Sequence, residues 1–354
     1  MGAMAEPAHN LYGTGPARVT IREIADLAGV SIATVSRVLN ARGDVSPETR
    51  DLVSRIIRER GYTANRSARS LSIGRTGLVG VLVPLVHPAY FSAIISGVAE
   101  ALHGQDLRLV LSPTGHEHDR EVSLLDRLMH GLTDGALIVL PEESSDELAQ
   151  LQDEGYSFVV IDPLEPLDER IPSVSAAHTS GADQAMQHLL GLGHRRIGAI
   201  TGPRGWVATE DRRRGYHAAL AAAGILPDPA LVEEANFEIS GGTRAAGALL
   251  DLAEPPTAIF AFNDNLAIGT LQAARARGLR VPQDLSVVGF DDLEYATIAT
   301  PELTTVRQPL AEMGRTAVSL LVRLLARQPF ETLHIELATR LVIRESTAPP
   351  PHTP

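Results

Sequence analysis

From Leu78 onward, unbroken apolar runs alternate with stretches whose apolar residues recur every three or four positions. The runs LVGVLVPLV (78–86), LRLVLS (107–112), GALIVLP (135–141), FVVID (158–162), RIGAIT (196–201), AIFAFN (258–263) and LSVVGFDD (285–292) read as strands. Between them FSAIISGVAEALHG, REVSLLDRLMHG, GADQAMQHLLGLGH, RRRGYHAALAAAG, TRAAGALLDLA and DNLAIGTLQAARARG read as helices. A strand apolar along its whole length is buried on both faces. Alternation with helices therefore implies a parallel sheet covered on both sides. Roughly 270 residues is large for one such sheet, so the expectation is an α/β body of two lobes.

The first residues follow another pattern. In TIREIADLAGVSIATVSRVLN (20–40), Thr20 and Glu23 have the spacing of a capping box, which starts a helix. Ile21, Ile24, Ala25 and Ala28 share one face, and Gly29 suits the left-handed conformation that ends a helix. Ser31 caps a second helix, with Val35, Val38 and Leu39 inward. A third helix starts at Ser46-Pro47 and ends near Gly61, with Leu52, Val53, Ile56 and Ile57 apolar. Two short helices around a tight glycine turn form a helix-turn-helix. In that arrangement the second helix reads DNA. Ile32, Ala33 and Thr34 approach base edges in the major groove, with Arg37 one turn on. An arginine bidentate to guanine discriminates by roughly 1–3 kcal/mol. Thr20, Ser31, Ser36 and Asn40 are candidates for phosphate contacts, which position without specifying. The plainer alternative is a structural three-helix bundle.

Charge favours the DNA reading. Residues 1–75 hold 11 arginines against 7 acidic residues, whereas the rest holds 20 against 36. A basic head on an acidic body suits a polyanionic partner for the head alone. The chain has neither cysteine nor lysine. That excludes disulfides, thiol nucleophiles, cysteine-ligated zinc, a lysine-bearing phosphate loop and Schiff-base chemistry. No apolar run reaches membrane-spanning length. MGAMAEPAHNLYGTGPAR has no signal-peptide pattern, so the expected location is the cytoplasm, with residues 1–18 a disordered tail.

In doubly wound sheets, ligands bind at the carboxyl ends of the strands. Asp162, Asn263 and Asp291 end three of the runs. Trp206, the single tryptophan, follows RIGAITGPRG, with Arg212 six residues later, and Tyr90 and Phe91 follow the first strand. Carboxylates, an amide and a guanidinium pair with adjacent hydroxyls, while aromatic faces cover C–H surfaces, so the set suits a polyhydroxylated ligand. Each has a plainer reading: Asp264 and Asp292 as helix caps, Arg212 as a partner for Glu210 or Asp211, Tyr90 and Phe91 as core. Residues 116–119 (HEHD) resemble metal ligands in type, but two histidines at i and i+2 on a loop are ordinarily solvated. We therefore assign no metal and no cofactor.

IREIADLAGVSIATVSRVLN resembles the helix-turn-helix signature of the lactose-repressor (LacI/GalR) family of bacterial transcription regulators, and the likeness runs from Val19 to Thr347. It implies a periplasmic-binding-protein-like core with the effector between the lobes. By motif it implies effector contacts at Arg212 of R-x-x-G-Y, Asn263 of F-N-D and Asp291 of G-F-D-D. LTTVRQPLAEMGRTAVSLLVRLL (303–325) resembles the segment that recrosses between lobes and then forms a lobe helix. The lobes also make the family's dimer, and ESTAPPPHTP cannot form a tetramer-making heptad helix, so a homodimer is expected.

The segment NRSARSLSIGRTG (65–77) has no proline and only late glycines. It favours one or two helical turns that need a partner to persist. Leu71 then serves as an apolar wedge in the minor groove, and A-R-S-L (Ala68 to Leu71) matches the family's hinge helix. A disordered tether is the alternative. The expected domains are 19–64 (head), 65–77 (hinge), 78–347 (core) and 348–354 (disordered tail). The expected function is effector-controlled binding of a palindromic operator, most simply repression by a sugar-responsive regulator. A purine or protein co-regulator, a transport-type sugar-binding protein and an enzyme are the competing readings.

Overall fold

The computed structural model describes residues 19–39, 44–62, 75–87, 89–330 and 332–351. Contacts divide the chain into two units between Thr76 and Gly77, inside the expected hinge segment.

The first unit contains α1 (Ile21–Ala28), α2 (Ile32–Leu39) and α3 (Pro47–Glu59). Thr20 accepts from the Glu23 amide at 3.3 Å, and the Glu23 carboxylate accepts from the Thr20 amide at 2.7 Å, so the capping box is formed. Gly29 takes φ +64° after α1. Ser31 Oγ accepts from the Thr34 amide at 3.1 Å, and Ser46 caps α3 through the Thr49 amide at 3.3 Å. Ile24, Ala25, Ala28, Val35, Val38 and Val53 form the buried core.

The second unit runs β1 (Leu78–Val83), α4 (Ala89–His103), β2 (Arg108–Pro113), α5 (His118–Arg127), β3 (Gly135–Val139), α6 (Ser145–Asp153), β4 (Phe158–Ile161), β5 (Ser173–Ala176), α7 (His178–Gly191), β6 (Ile197–Thr201), α8 (Val207–Ala222), β7 (Val232–Glu234), α9 (Ile239–Leu250), β8 (Ala258–Ala261), α10 (Asp264–Ala276), β9 (Ser286–Asp291), α11 (Tyr295–Ile298), β10 (Thr304–Arg307), α12 (Leu310–Leu325), β11 (His334–Leu337) and β12 (Arg340–Val342). Two six-stranded sheets result, ordered β11-β5-β4-β3-β1-β2 and β12-β10-β9-β8-β6-β7. Every pairing is parallel except the edge pair β10–β12. The seven expected strands are all present, and each sheet lies in its own lobe.

The chain passes between lobes three times. β5 belongs to the first sheet, while α7 packs in the second lobe on α8 and β10. β10 belongs to the second sheet, while α12 packs on α4 and the first sheet, as the motif 303–325 implies. β11 then returns to the first sheet's edge and β12 to the second's. The first and third passages are tied: the Ala177 amide donates to Leu337 O at 2.9 Å, and Thr339 Oγ1 donates to Ala177 O at 3.0 Å. α4 and α12 approach backbone to backbone at Gly97 and Gly314. A Cβ on Gly97 would collide with Ala311 O, and one on Gly314 with Ile94 O.

The expected disordered tail, 348–354, is corrected at its first residue: the Ala348 amide donates to Ser286 Oγ at 3.0 Å, and its carbonyl lies 2.9 Å from His194 Nε2. Just before it Ser346 is fully buried, and its carbonyl accepts from the Val287 amide at 2.8 Å. Hydrogen bonds to lobe two, rather than apolar periodicity, hold this segment, so its composition gives no sign of order. Residues 352–354 and 1–18 lie outside the described residues.

Candidate functional site

Three of the expected ligand residues sit at carboxyl ends of strands in strained backbone or directly after them. Asp162 follows β4 with φ +54°, and Asp291 ends β9 with φ +116°. Non-glycine residues are seldom held there, and where they are, function is a common reason. Asn263 follows β8 and caps α10, accepting from the Leu266 amide at 2.8 Å.

A continuous polar chain links the lobes. Tyr90, on α4, donates its hydroxyl to Asp162 Oδ2 at 2.6 Å. His178, the first residue of α7, places Nε2 2.9 Å from Asp162 Oδ1 and Nδ1 3.3 Å from Arg212 Nη2. A guanidinium only donates, so Nδ1 accepts and Nε2 carries the proton toward Asp162. Arg212, on α8 and 4% exposed, also donates to the Phe262 carbonyl, and its Nη2 lies 3.8 Å from Asp291 Oδ1. Gln308, at the second passage between lobes, donates to Asp291 Oδ1 at 2.6 Å.

Electrostatics separate the two carboxylates. Burial pushes Asp162 up, but His178, Tyr90 and Arg212 outweigh it and hold the group below the ordinary aspartate range. Asp291 is pushed up to about 7 by burial, against the opposing pull of Arg212 and Gln308. Arg212 Nε, Gln308 Oε1 and Thr209 Oγ1 are buried without a hydrogen-bond partner among the described residues. Buried polar atoms are ordinarily paired, and two of these belong to Arg212 and Gln308 of the polar chain itself.

An aromatic wall completes the site. The Arg212 guanidinium carbon lies 4.0 Å from the Phe290 ring centre and 5.9 Å from that of Phe237. Phe237 in turn stands 5.7 Å from Trp206, tilted by 44°. The Asn265 amide donates to Phe237 O at 3.0 Å, and Asn263 Nδ2 approaches the same oxygen at 3.4 Å.

Tyr90, Asp162, Arg212 and Asp291 are thus brought together, with Trp206 and Asn263 beside Phe237. Phe91 is not: it is 7% exposed in the lobe-one core with Ile94 and Val98, meeting Tyr90 edge-on at 5.2 Å. One helical residue beyond Tyr90, it points along a different direction of α4. Arg212 does not pair with its sequence neighbours; Arg213 meets Glu210 and Arg214 meets Asp211. Asp264 and Asp292 are not caps. Asp264 accepts from Thr305 Oγ1 at 2.5 Å and the Leu293 amide at 2.8 Å, and Asp292 pairs with Arg307 and Arg344. His116 and His118 pair with Glu142 and Glu147. The sequence reading missed His178, Phe237 and Gln308. The available signal was position, since each follows a strand whose sequence, SVSA, VEE or TTVR, is too short or too polar to be read as one.

In the head, Ile32 is 42% exposed and Ala33 and Arg37 are exposed, while Thr34 and Ser36 are half-buried. Thr34 Oγ1 lies 2.9 Å from Ser31 Oγ, and Thr20 is exposed at the start of α1. Arg37 Nε lies 3.2 Å from Asp44 Oδ2. Asn40, Ala68 and Leu71 lie outside the described residues.

Residues 20–65 match the family described as bacterial regulatory proteins, lacI family, and residues 186–347 match a periplasmic binding protein-like domain. The transcriptional regulator CelR of Thermobifida fusca is 38% identical over 93% of this chain and 98% of its own length. The ribose operon repressor of Haemophilus influenzae is 35% identical over 92% of this chain and 98% of its own. A lac repressor dimer bound to operator and an anti-inducer superposes with TM-score 0.83, at 29% identity over 94% of this chain and 99% of that one. A CelR–cellobiose complex gives TM-score 0.72, at 36% identity over 93% of this chain and all of that one.

Proposed function

Because the chain belongs to the lacI family of bacterial regulatory proteins, we propose that this DNA-binding transcription regulator is a dimeric repressor whose effector is a sugar or short oligosaccharide. The observation that carries the reading is the polar chain Tyr90–Asp162–His178–Arg212–Asp291–Gln308, which spans both lobes. A ligand with several hydroxyls both donates and accepts, as this chain requires, and Trp206 and Phe237 cover its C–H surface. Two relatives carry ribose operon repressor in their names, and one similar structure holds cellobiose.

The division of labour follows. Residues 19–64 form the head, where Ile32, Ala33, Thr34 and Arg37 contact base edges and Thr20, Ser31, Ser36 and Asn40 contact phosphates. Residues 65–77 form the hinge, with Ala68 and Leu71 at the minor groove. Residues 78–347 bind the effector and pair with a second copy. The effector acts by binding one lobe arrangement better than the other, and the coupling to DNA is reciprocal. The relatives are transcription regulators, and we read this chain as a cytoplasmic regulator without catalytic activity.

A purine effector would stack between parallel aromatic faces. The 44° tilt between Trp206 and Phe237 disfavours that arrangement. Calorimetry on the full chain with cellobiose, ribose, glucose, hypoxanthine and adenosine tests the reading. Heat from a saccharide alone supports it; binding of a purine and of no saccharide overturns it.

A further inference from the structure

We propose that Asp44 is a positioning residue for sequence reading: it pairs with Arg37 on the Nε side of the guanidinium and so biases the two terminal nitrogens toward one presentation. This rests on the reading of Arg37 as a base-contacting residue.

Arg37 stands in the last turn of α2, between the buried Val35 and Val38, so its backbone is fixed by the head's core. Asp44 is the first described residue after α2, and its neighbours fix it too. Val45 packs against the same core and Ser46 caps α3. The Asp44 carboxylate meets Arg37 at Nε, 3.2 Å away. A guanidinium has one N–H on Nε and four on the terminal nitrogens. A bidentate contact to guanine O6 and N7 uses the terminal pair. An ion pair on the Nε side therefore leaves the terminal pair clear of Asp44's closest approach while biasing the side chain's last torsions. Both partners are exposed, at 46% and 62%, and an exposed ion pair adds little to stability. Its consequence lies in side-chain orientation and in the charge carried toward DNA.

That charge makes the inference distinctive. A carboxylate beside the reading arginine offsets one positive charge and weakens the sequence-independent attraction to phosphates. Asp44 thus lowers affinity for any duplex while raising discrimination among duplexes. A residue that merely supports the fold would raise or lower both together.

The test uses the full-length protein and two probes. One is the duplex that the wild type selects from a randomised pool, with single G·C to A·T replacements through its half-site. The other is an unselected duplex of equal length. Asp44→Asn should bind the unselected duplex at least as tightly as the wild type does. It should also lose at least about threefold of the discrimination at one G·C pair. In an Arg37→Ala background the same change should leave discrimination at that pair unaltered, as a double-mutant cycle requires. Full discrimination in Asp44→Asn, with discrimination lost in Arg37→Ala, overturns the proposal. So does an equal loss on both duplexes. If Arg37→Ala keeps discrimination at every pair, the reading of Arg37 itself is wrong, a result distinct from the failure of Asp44's role.

Discussion

His178 Nε2 lies 2.9 Å from Asp162 Oδ1, and the two residues belong to different lobes, on either side of the first passage between them. Asp162 ends a strand of the first sheet; His178 begins the helix that packs on the second. The contact is 1% and 7% exposed at the two side chains, so it joins the lobes in a dry setting where one charge-assisted hydrogen bond counts for more than it does at a surface.

Replacing His178 by Ala should therefore weaken effector binding by at least tenfold, since Asp162 and Arg212 both lose a partner that orients them, a loss of about 1.4 kcal/mol or more. Calorimetry with the sugar that binds the wild type checks this. Binding of the unselected duplex should stay unchanged, because the head is intact. Wild-type effector affinity in this variant would remove His178 from the site.

Asp291 gives the site a pH dependence. Its folded-state pKa, pushed up to about 7 by burial, exceeds the ordinary aspartate value. Its contribution to stability is thus complete in acid and declines as pH rises toward and through 7. Effector hydroxyls donate to the ionised form, so affinity should rise over the same interval. Asp291→Asn should flatten both curves. Calorimetric affinity between pH 5.5 and 8.5 is the measurement.

A second carboxyl pair stands apart from the cleft. Glu121 and Glu143 are 1% and 2% exposed and lie side by side, so that either one, once ionised, disfavours ionisation of the other. Burial first, and the neighbouring Glu143 next, push Glu121 up to about 9. A raised carboxyl favours the folded state below its unfolded value near 4.5 and loses that contribution as pH climbs toward 9. Melting temperature should therefore fall between pH 7 and 9. Glu121→Gln, which cannot ionise, should abolish most of that fall in scanning calorimetry.

Ser346 anchors the C-terminal segment. Its hydroxyl accepts from the Thr304 amide at 2.8 Å and donates to Val287 O at 2.6 Å, fully buried. Ser346→Ala orphans one backbone donor and one acceptor, at a cost of about 2–3 kcal/mol. Urea unfolding monitored at lobe two should show it as a lower midpoint with an unchanged slope.

Where a strand is apolar along its length and ends in a polar residue, fold and site are legible together. FVVID and VVGFDD placed Asp162 and Asp291 at the carboxyl edges where β4 and β9 put them. β5, β7, β11 and β12 are short, polar or at sheet edges, and their pairing comes from residues far along the chain rather than from local pattern. His178 and Phe237 follow two of them and were lost with them. Phe91 is the converse case, because adjacency to Tyr90 in sequence is a turn of about 100° on a helix, which places it among the lobe-one core residues. Within the described residues of the head, the three helices were legible, since their caps, glycine turn and apolar faces are all local.

Neither lobe is a continuous piece of chain. The first is assembled from residues 78–176 and 310–337, the second from 178–307 and 340–351. The Ser173–His334 hydrogen bond alone joins positions 161 residues apart. Synthesis must therefore be almost finished before the sheets can acquire their last strands, β11 and β12, and folding carries the delay of long-range closure. The same interleaving protects the finished molecule. A protease that cuts one passage leaves two others, so a singly nicked body stays in one piece until it is denatured.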